Sequence, residues 1–288
     1  IRWAPNGRRM AVKLSPLNVP RSQLDRLLPT AAVAGPIAGP SRAGSVTVTV
    51  FTSESADPTA TDSGFVNLDS TRSFLNTELA DLAMIDAVTG RVKRLALRQR
   101  VIGWQWAPDG RSLAYTTRQP DGGDGHLVYD RYDLFVVDTT GGAPRLLAPR
   151  MVQEYGQNFA WSPDGSMLAY VSDGQPHVVP RDGGEPRRLG VTDRSFARDY
   201  RAPLWMTDES LLLISADTLF RVAIATGEST PVAVPQGHRL LEIVAPGDAQ
   251  HVSSTRVTIA THDPATKLSG FRTVDFTNGI FSSRLDDL

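Results

Sequence analysis

Apolar residues in this chain fall in short runs that alternate with polar ones and are cut at close intervals by turn residues. Ser112-Leu113-Ala114-Tyr115 and Met167-Leu168-Ala169-Tyr170 are such runs, and each follows a Pro-Asp-Gly turn. A period near two, bounded by Pro, Asp and Gly, predicts β-strands joined by tight turns. Proline presets φ in such a turn and glycine takes its left-handed position. The stretches 101–105 and 155–160 predict a strand before the turn. Leu134-Phe135-Val136-Val137-Asp138, then Gly141-Gly142, then Pro144-Arg145-Leu146 predicts a hairpin after it.

Both patterns repeat, and in phase. Trp3-Ala4-Pro5-Asn6-Gly7 recurs as Trp106-Ala107-Pro108-Asp109-Gly110 and as Trp161-Ser162-Pro163-Asp164-Gly165. Trp205-Met206-Thr207-Asp208-Glu209 is a degenerate copy, and Val244-Ala245-Pro246-Gly247-Asp248 a more eroded one. The copies are 103, 55, 44 and 39 residues apart. The hairpin pattern recurs at Leu82 to Asp86 with Thr89-Gly90, at His177 to Pro180 with Gly183-Gly184, at Leu219 to Val222 with Thr226-Gly227, and at Phe271 to Asp275 with Asn278-Gly279. Periods of roughly 40–50 residues with four strands each are the signature of β-propeller blades. A lone four-stranded sheet leaves apolar faces uncovered, so neighbouring blades must stack around an axis. The expected fold is therefore all-β, with about five four-stranded antiparallel blades. Their bounds are roughly 1–98, 99–149, 150–190, 191–235 and 236–288. The signature tryptophans are expected to pack between blades rather than to form a stacking platform for sugars or bases.

The first unit is interrupted at 15–77. That insertion carries a short helical pattern (22–28), a Gly/Pro/Ala stretch (31–44), one alternating strand (45–52) and a polar loop (53–63). Strand one of the first unit looks cut off. The chain thus reads as an incomplete ring, with open faces at which homo-oligomers could form.

Composition excludes more than it proposes. The chain has 288 residues, a formal net charge of −1 and three lysines among 30 basic residues. Its pI near 6.6 gives no basic field for nucleic acid, and none is expected as a partner. No apolar run approaches a membrane span. There is no cysteine, which rules out disulfides, Cys-ligated metals and a thiol nucleophile. It leaves the compartment open among periplasmic, secreted and cytoplasmic. No G-x-S-x-G nucleophile elbow is present; Gly39-Pro40-Ser41-Arg42-Ala43 fails at its last position. His126, His177, His238, His251 and His262 lack metal-ligand spacing. Asp121-Gly122-Gly123-Asp124-Gly125 lacks the closing Glu of a calcium loop, since Tyr132 stands there. No catalytic residue, metal or cofactor is expected in this chain. One carboxylate stands out. Glu154 lies just ahead of the strand entering Trp161, a place near the rim of the central channel. It reads either as a solvated loop carboxylate or as an anchor for a cationic peptide N-terminus.

The pattern W-S-P-D-G-x-x-[LM]-A-[YF], followed by an apolar run ending in Asp, G-G-x-P-R-x-L and the next W-S-P-D-G, resembles two groups of propellers. One is the prolyl oligopeptidase family of serine peptidases, which includes dipeptidyl peptidase IV and acylaminoacyl peptidases. The other is the protein-binding propeller TolB and its relatives. The irregular spacing, the loop 119–130 and the insertion in the first unit favour the peptidases. That resemblance implies a seven- or eight-bladed ring ahead of an α/β-hydrolase domain, which this chain lacks. It implies that the propeller filters and positions short peptide substrates for that domain's Ser-Asp-His triad. Dipeptidyl peptidase IV relatives hold the substrate amine with paired glutamates upstream of a W-S-P motif. Met151-Val152-Gln153-Glu154-Tyr155-Gly156 offers one, Glu154. The alternative is a TolB-like scaffold without enzymatic activity.

Overall fold

The computed structural model describes residues 1–16, 79–119, 130–190, 196, 203–216, 218–232, 237–245, 249–276 and 280–282. Most of the insertion, with its expected helix 22–28 and strand 45–52, lies outside them. So do Gly39-Pro40-Ser41, the loop 120–129 with His126, and Arg284-Leu285.

Among the described residues, twenty strands form five antiparallel sheets of four, each in sequence order from one edge to the other. Blade one is β1 (Arg2–Trp3), β2 (Arg9–Leu14), β3 (Ala80–Asp86) and β4 (Val92–Gln99). Blade two is β5 (Val101–Trp106), β6 (Ser112–Arg118), β7 (Asp130–Asp138) and β8 (Arg145–Gln153). Blade three is β9 (Phe159–Trp161), β10 (Met167–Ser172), β11 (Gln175–Pro180) and β12 (Arg187–Arg188). Blade four is β13 (Leu204–Thr207), β14 (Ser210–Ser215), β15 (Thr218–Ala223) and β16 (Ser229–Val232). Blade five is β17 (Arg239–Ile243), β18 (Arg256–His262), β19 (Ser269–Asp275) and β20 (Ile280–Ser282). There is no helix among the described residues. The first strands of blades one to four neighbour one another in turn, so they line the propeller axis. Among the described residues, substantial strand contacts between sheets run from each blade to the next, and none links blade five to blade one. The chain is an incomplete β-propeller.

Two expectations are refined. Strand one of the first unit is present as two residues, Arg2 and Trp3, paired with Ala11 and Met10. The strand before Trp161 begins at Phe159 rather than near Tyr155, because Gly156 takes φ +65° and turns the chain there.

The registers show why the signature is spaced as it is. Trp106 lies opposite Leu113, and Leu113 opposite Val137. Trp161, Leu168 and Val179 form the same row in blade three. Trp205, Leu211 and Val222 form it in blade four. Residues directly opposite across a ladder share a face, so each row is one apolar stripe. Each is buried against the preceding blade: the blade-two row against Ala4, Ala11, Leu82 and Leu95, for example. Each tryptophan also donates its indole N–H to the preceding blade. Trp106 Nε1 reaches the carbonyl of Arg2 at 3.0 Å, Trp161 that of Gln105 at 3.3 Å, and Trp205 that of Ala160 at 3.1 Å. The acceptor is the residue before the preceding tryptophan in every case. Burying an indole removes roughly 200 Å² from water, worth about 5 kcal/mol at roughly 25 cal/mol per Å². The hydrogen bond nets about 1 kcal/mol. Burial therefore supplies the stability, and the hydrogen bond sets how one blade is placed on the next.

Trp3 departs from the expected inter-blade burial. Its row is Trp3, Met10, Ile85 and Val92. It lies on the face turned away from blade two, and Trp3 stays 57% exposed because no described blade stands in front of it.

The second motif has its own work. In Lys93-Arg94-Leu95, Arg145-Leu146-Leu147 and Arg187-Arg188-Leu189 the third residue is buried in the sheet stack. The first donates to a turn carbonyl of the following blade: Lys93 to Thr140, Arg145 to Arg181 at 3.0 Å, and Arg187 to Ile224 at 2.6 Å. Arg181 in turn pairs with Asp109 at 2.8 Å and lies 5.7 Å from the centre of the Trp161 ring. A cation on the outer strand of blades one, two and three thus ties each to the next at the turn end.

Candidate functional site

The strand-four to strand-one connection of residues 154–158 joins blades two and three at the rim of the axis. It is shaped by close packing. The Tyr132 ring lies against Gly156 so tightly that a Cβ there would come within 2.5 Å of it. Gln153 is buried and ties the two ends of the connection together. Its amide donates to the carbonyl of Val171 at 2.8 Å, and its carbonyl accepts from the N–H of Asn158 at 3.3 Å. The Thr116 hydroxyl donates to the carbonyl of Gly156. Glu154 sits half-buried within this clamped loop. The Tyr132 hydroxyl donates to its main-chain carbonyl over a long 3.4 Å.

Charged groups surround the same rim. Asp130, opposite Gln153 in the β7–β8 register, pairs with Arg118 at 3.0 Å. Burial pushes the Asp130 carboxyl above its ordinary range, and the Arg118 charge offsets this only in part. Arg118 also lies 5.9 Å from the centre of the Tyr132 ring. Asp133 accepts from the N–H of Arg150 at 2.8 Å and from Gln119. Asp81 does the same for the N–H of Arg98 at 2.7 Å. Arg98 and Arg150 have φ of 51° and 52°, so each aspartate secures a left-handed kink where the register shifts in β4 or β8. The Asp-Leu pairs at 81–82 and 133–134 were the sequence signal for this device, and the repeat reading passed over them.

The remaining histidines do not converge. His177 stacks on Tyr170 with ring centres 5.0 Å apart, and burial lowers its pKa. His238 lies 2.7 Å from Arg272, His262 lies 3.0 Å from the Ser269 hydroxyl, and His251 contacts the carbonyl of Trp161 at 2.9 Å. Among the described residues no cluster of three His, Asp or Glu side chains is placed to hold a metal ion.

A feature that the sequence did not signal lies on the axis. Residues 250–252, between β17 and β18 of blade five, reach the first strands of blades two, three and four. The N–H of Trp205 donates to the carbonyl of Gln250 at 3.0 Å, and the N–H of Val252 donates to the carbonyl of Trp205 at 2.8 Å. The Gln250 side chain accepts from the N–H of Trp161 at 2.9 Å and donates to the carbonyl of Trp106 at 3.1 Å. Gln250 and His251 also line an open hollow of about 310 Å³ with Arg2, Trp3, Pro5, Gln105, Trp106 and Pro108.

No protein-family model matches the chain. An alignment of 135 residues, 43% of the chain, is 31% identical to the uncharacterised peptidase YuxL of Bacillus subtilis, of which it covers 18%. Among solved structures, dipeptidyl peptidase 4 of Porphyromonas gingivalis matches with a TM-score of 0.53 and 13% identity. That match covers 72% of this chain and 37% of the peptidase. A putative TolB from Agrobacterium tumefaciens matches with a TM-score of 0.45 and 15% identity, over 70% of this chain and 72% of that one. The chain therefore spans under a fifth of the curated relative and little more than a third of the solved peptidase. What the solved peptidase shows of this chain is its propeller fold.

Proposed function

We propose that this chain is the non-catalytic propeller portion of a serine peptidase of the prolyl oligopeptidase type. It would admit and position short peptides for a hydrolase domain carried elsewhere in the parent protein. The observation that carries this reading is the W-[SA]-P-[DN]-G repeat together with 31% identity to a peptidase over 135 residues. The reading assigns the chemistry to a domain of the parent protein outside these residues, in keeping with the absence of a G-x-S-x-G elbow from them. Glu154, half-buried in a clamped rim loop, is the residue we assign to the substrate amine, because a carboxylate held at a channel mouth attracts a peptide N-terminus. The alternative, a TolB-like binding scaffold, shares the fold but has no comparable identity behind it.

A serine-directed fluorophosphonate tests the assignment. The full parent protein should be labelled at one serine outside residues 1–288, and the 288-residue chain should take no label. A parent that hydrolyses no aminoacyl or dipeptidyl substrate and takes no label would overturn it.

A further inference from the structure

We propose that the axial edges of blades two, three and four form a recognition surface for an extended peptide bearing a carboxamide side chain, and that residues 249–252 occupy it in cis. The inference goes beyond the peptidase reading and does not depend on it.

The first strand of a blade pairs on one side only. Its other edge turns unpaired N–H and C=O groups toward the axis, which is a template for an added strand. Residues 249–252 use that template in two ways. Main-chain atoms of Gln250 and Val252 bracket Trp205, exchanging both of its axial hydrogen bonds, at 3.0 and 2.8 Å. Trp205 and His251 form a parallel bridge. This is strand addition at the edge of blade four. The side chains then reach the other two blades. Gln250 Oε1 takes the N–H of Trp161, Gln250 Nε2 gives a hydrogen to the carbonyl of Trp106, and His251 Nε2 gives one to the carbonyl of Trp161.

The chemistry of this contact is selective. Blade three offers a donor and blade two an acceptor, so one side chain must both accept and donate from adjacent atoms. A primary carboxamide does so from one planar group at any ordinary pH, whereas a carboxyl does so only when protonated. A glutamate in its place would keep the contact to Trp161 and set a carboxylate against the Trp106 carbonyl. A lysine would donate only. The same main-chain groups belong to the three tryptophans whose indoles tie the blades together, so their position is fixed by the inter-blade packing before any ligand arrives. The surface is preorganised, and a peptide ordered on it would lose little to rearrangement of the protein.

Amide hydrogen exchange on the full 288-residue chain tests the proposal. The probes are the amides of Trp161 and Trp205, with those of Leu168 and Ala169 in β10 as controls. Gln250→Ala with His251→Ala removes the side-chain acceptor of the Trp161 amide and should speed its exchange about tenfold or more, the loss expected for a hydrogen bond of ordinary net strength; exchange at Trp205 should rise with it as the segment lifts and takes its main-chain acceptor away. The controls should hold. A synthetic peptide of residues 249–255 added to that variant should restore protection, and the same peptide with Glu for Gln250 should not. Gln250→Glu is the milder second variant: it keeps an acceptor for the N–H of Trp161 but sets a carboxylate against the Trp106 carbonyl, so it should lift the segment and raise exchange at Trp205, whose partner is the main-chain carbonyl of residue 250. Unchanged exchange at Trp205 in Gln250→Glu overturns the proposal. So does deprotection that the peptide fails to reverse, which would make 249–252 a brace and not the occupant of a recognition surface.

Discussion

The indole N–H of Trp161 in blade three donates to the main-chain carbonyl of Gln105 in blade two, across 3.3 Å. Gln105 directly precedes Trp106, whose own indole donates to Arg2, the residue directly preceding Trp3. The contact is therefore a chain of identical steps from blade to blade. It explains why tryptophan, rather than another large apolar residue, stands in the first strand of blades two, three and four: phenylalanine would fill much of the space but has no donor.

Replacing Trp161 by Phe should cost about 2–3 kcal/mol, through the cavity left by the smaller ring and the lost indole bond. Trp3→Phe should cost under about 0.5 kcal/mol, since Trp3 is 57% exposed. Urea denaturation of both variants measures the difference. Equal losses at the two positions would refute the inter-blade account.

Gly156→Ala should destabilise by about 2–4 kcal/mol. Its φ of +65° is unfavourable for alanine, and the new methyl would meet the Tyr132 ring. Shrinking that ring with Tyr132→Leu should make the double variant more stable than the sum of the two single losses predicts. Strict additivity in the cycle would show that the strain lies in the backbone alone.

Asp164, in the Pro-Asp-Gly turn of blade three, should give acid sensitivity in a narrow window. Partial burial works against its ionisation, but hydrogen bonds from the Ser162 hydroxyl and from the amide and hydroxyl of Ser166 outweigh it. They bring its pKa from 3.8 to about 2. Its folded pKa is depressed, so its contribution is complete above about pH 4 and is lost as pH falls toward 2. The urea midpoint of Asp164→Asn should therefore lie below that of the unsubstituted chain at pH 6, and the gap should close near pH 2. A gap independent of pH would assign the effect to the neutral hydrogen bonds.

Glu154→Gln in the parent protein should lower kcat/KM for peptides with a free N-terminus and spare N-blocked ones. Removing one partner of a partly buried charge pair is worth on the order of 2–5 kcal/mol. Equal effects on free and blocked substrates would return Glu154 to the role of a solvated loop carboxylate.

The blade plan was legible in the chain because its causes are local. Alternation sets which residues of a strand share a face, Pro-Asp-Gly sets the turn, and two motifs in phase count the units. Those signals reach no further than one hairpin. They did not show that the Asp-Leu pairs secure kinks at Arg98 and Arg150, that Gly156 exists to admit the Tyr132 ring, or which cation of each R-x-L motif meets the next blade. Least visible was Gln250, whose side chain joins residues 89 and 144 positions away. Nothing in its neighbourhood in the chain differs from an ordinary polar loop. Its partners are main-chain groups that every residue carries, so no residue pattern advertises them. Only the stacking of blades two, three and four brings those groups to one axis, and only there does a carboxamide find a donor and an acceptor side by side.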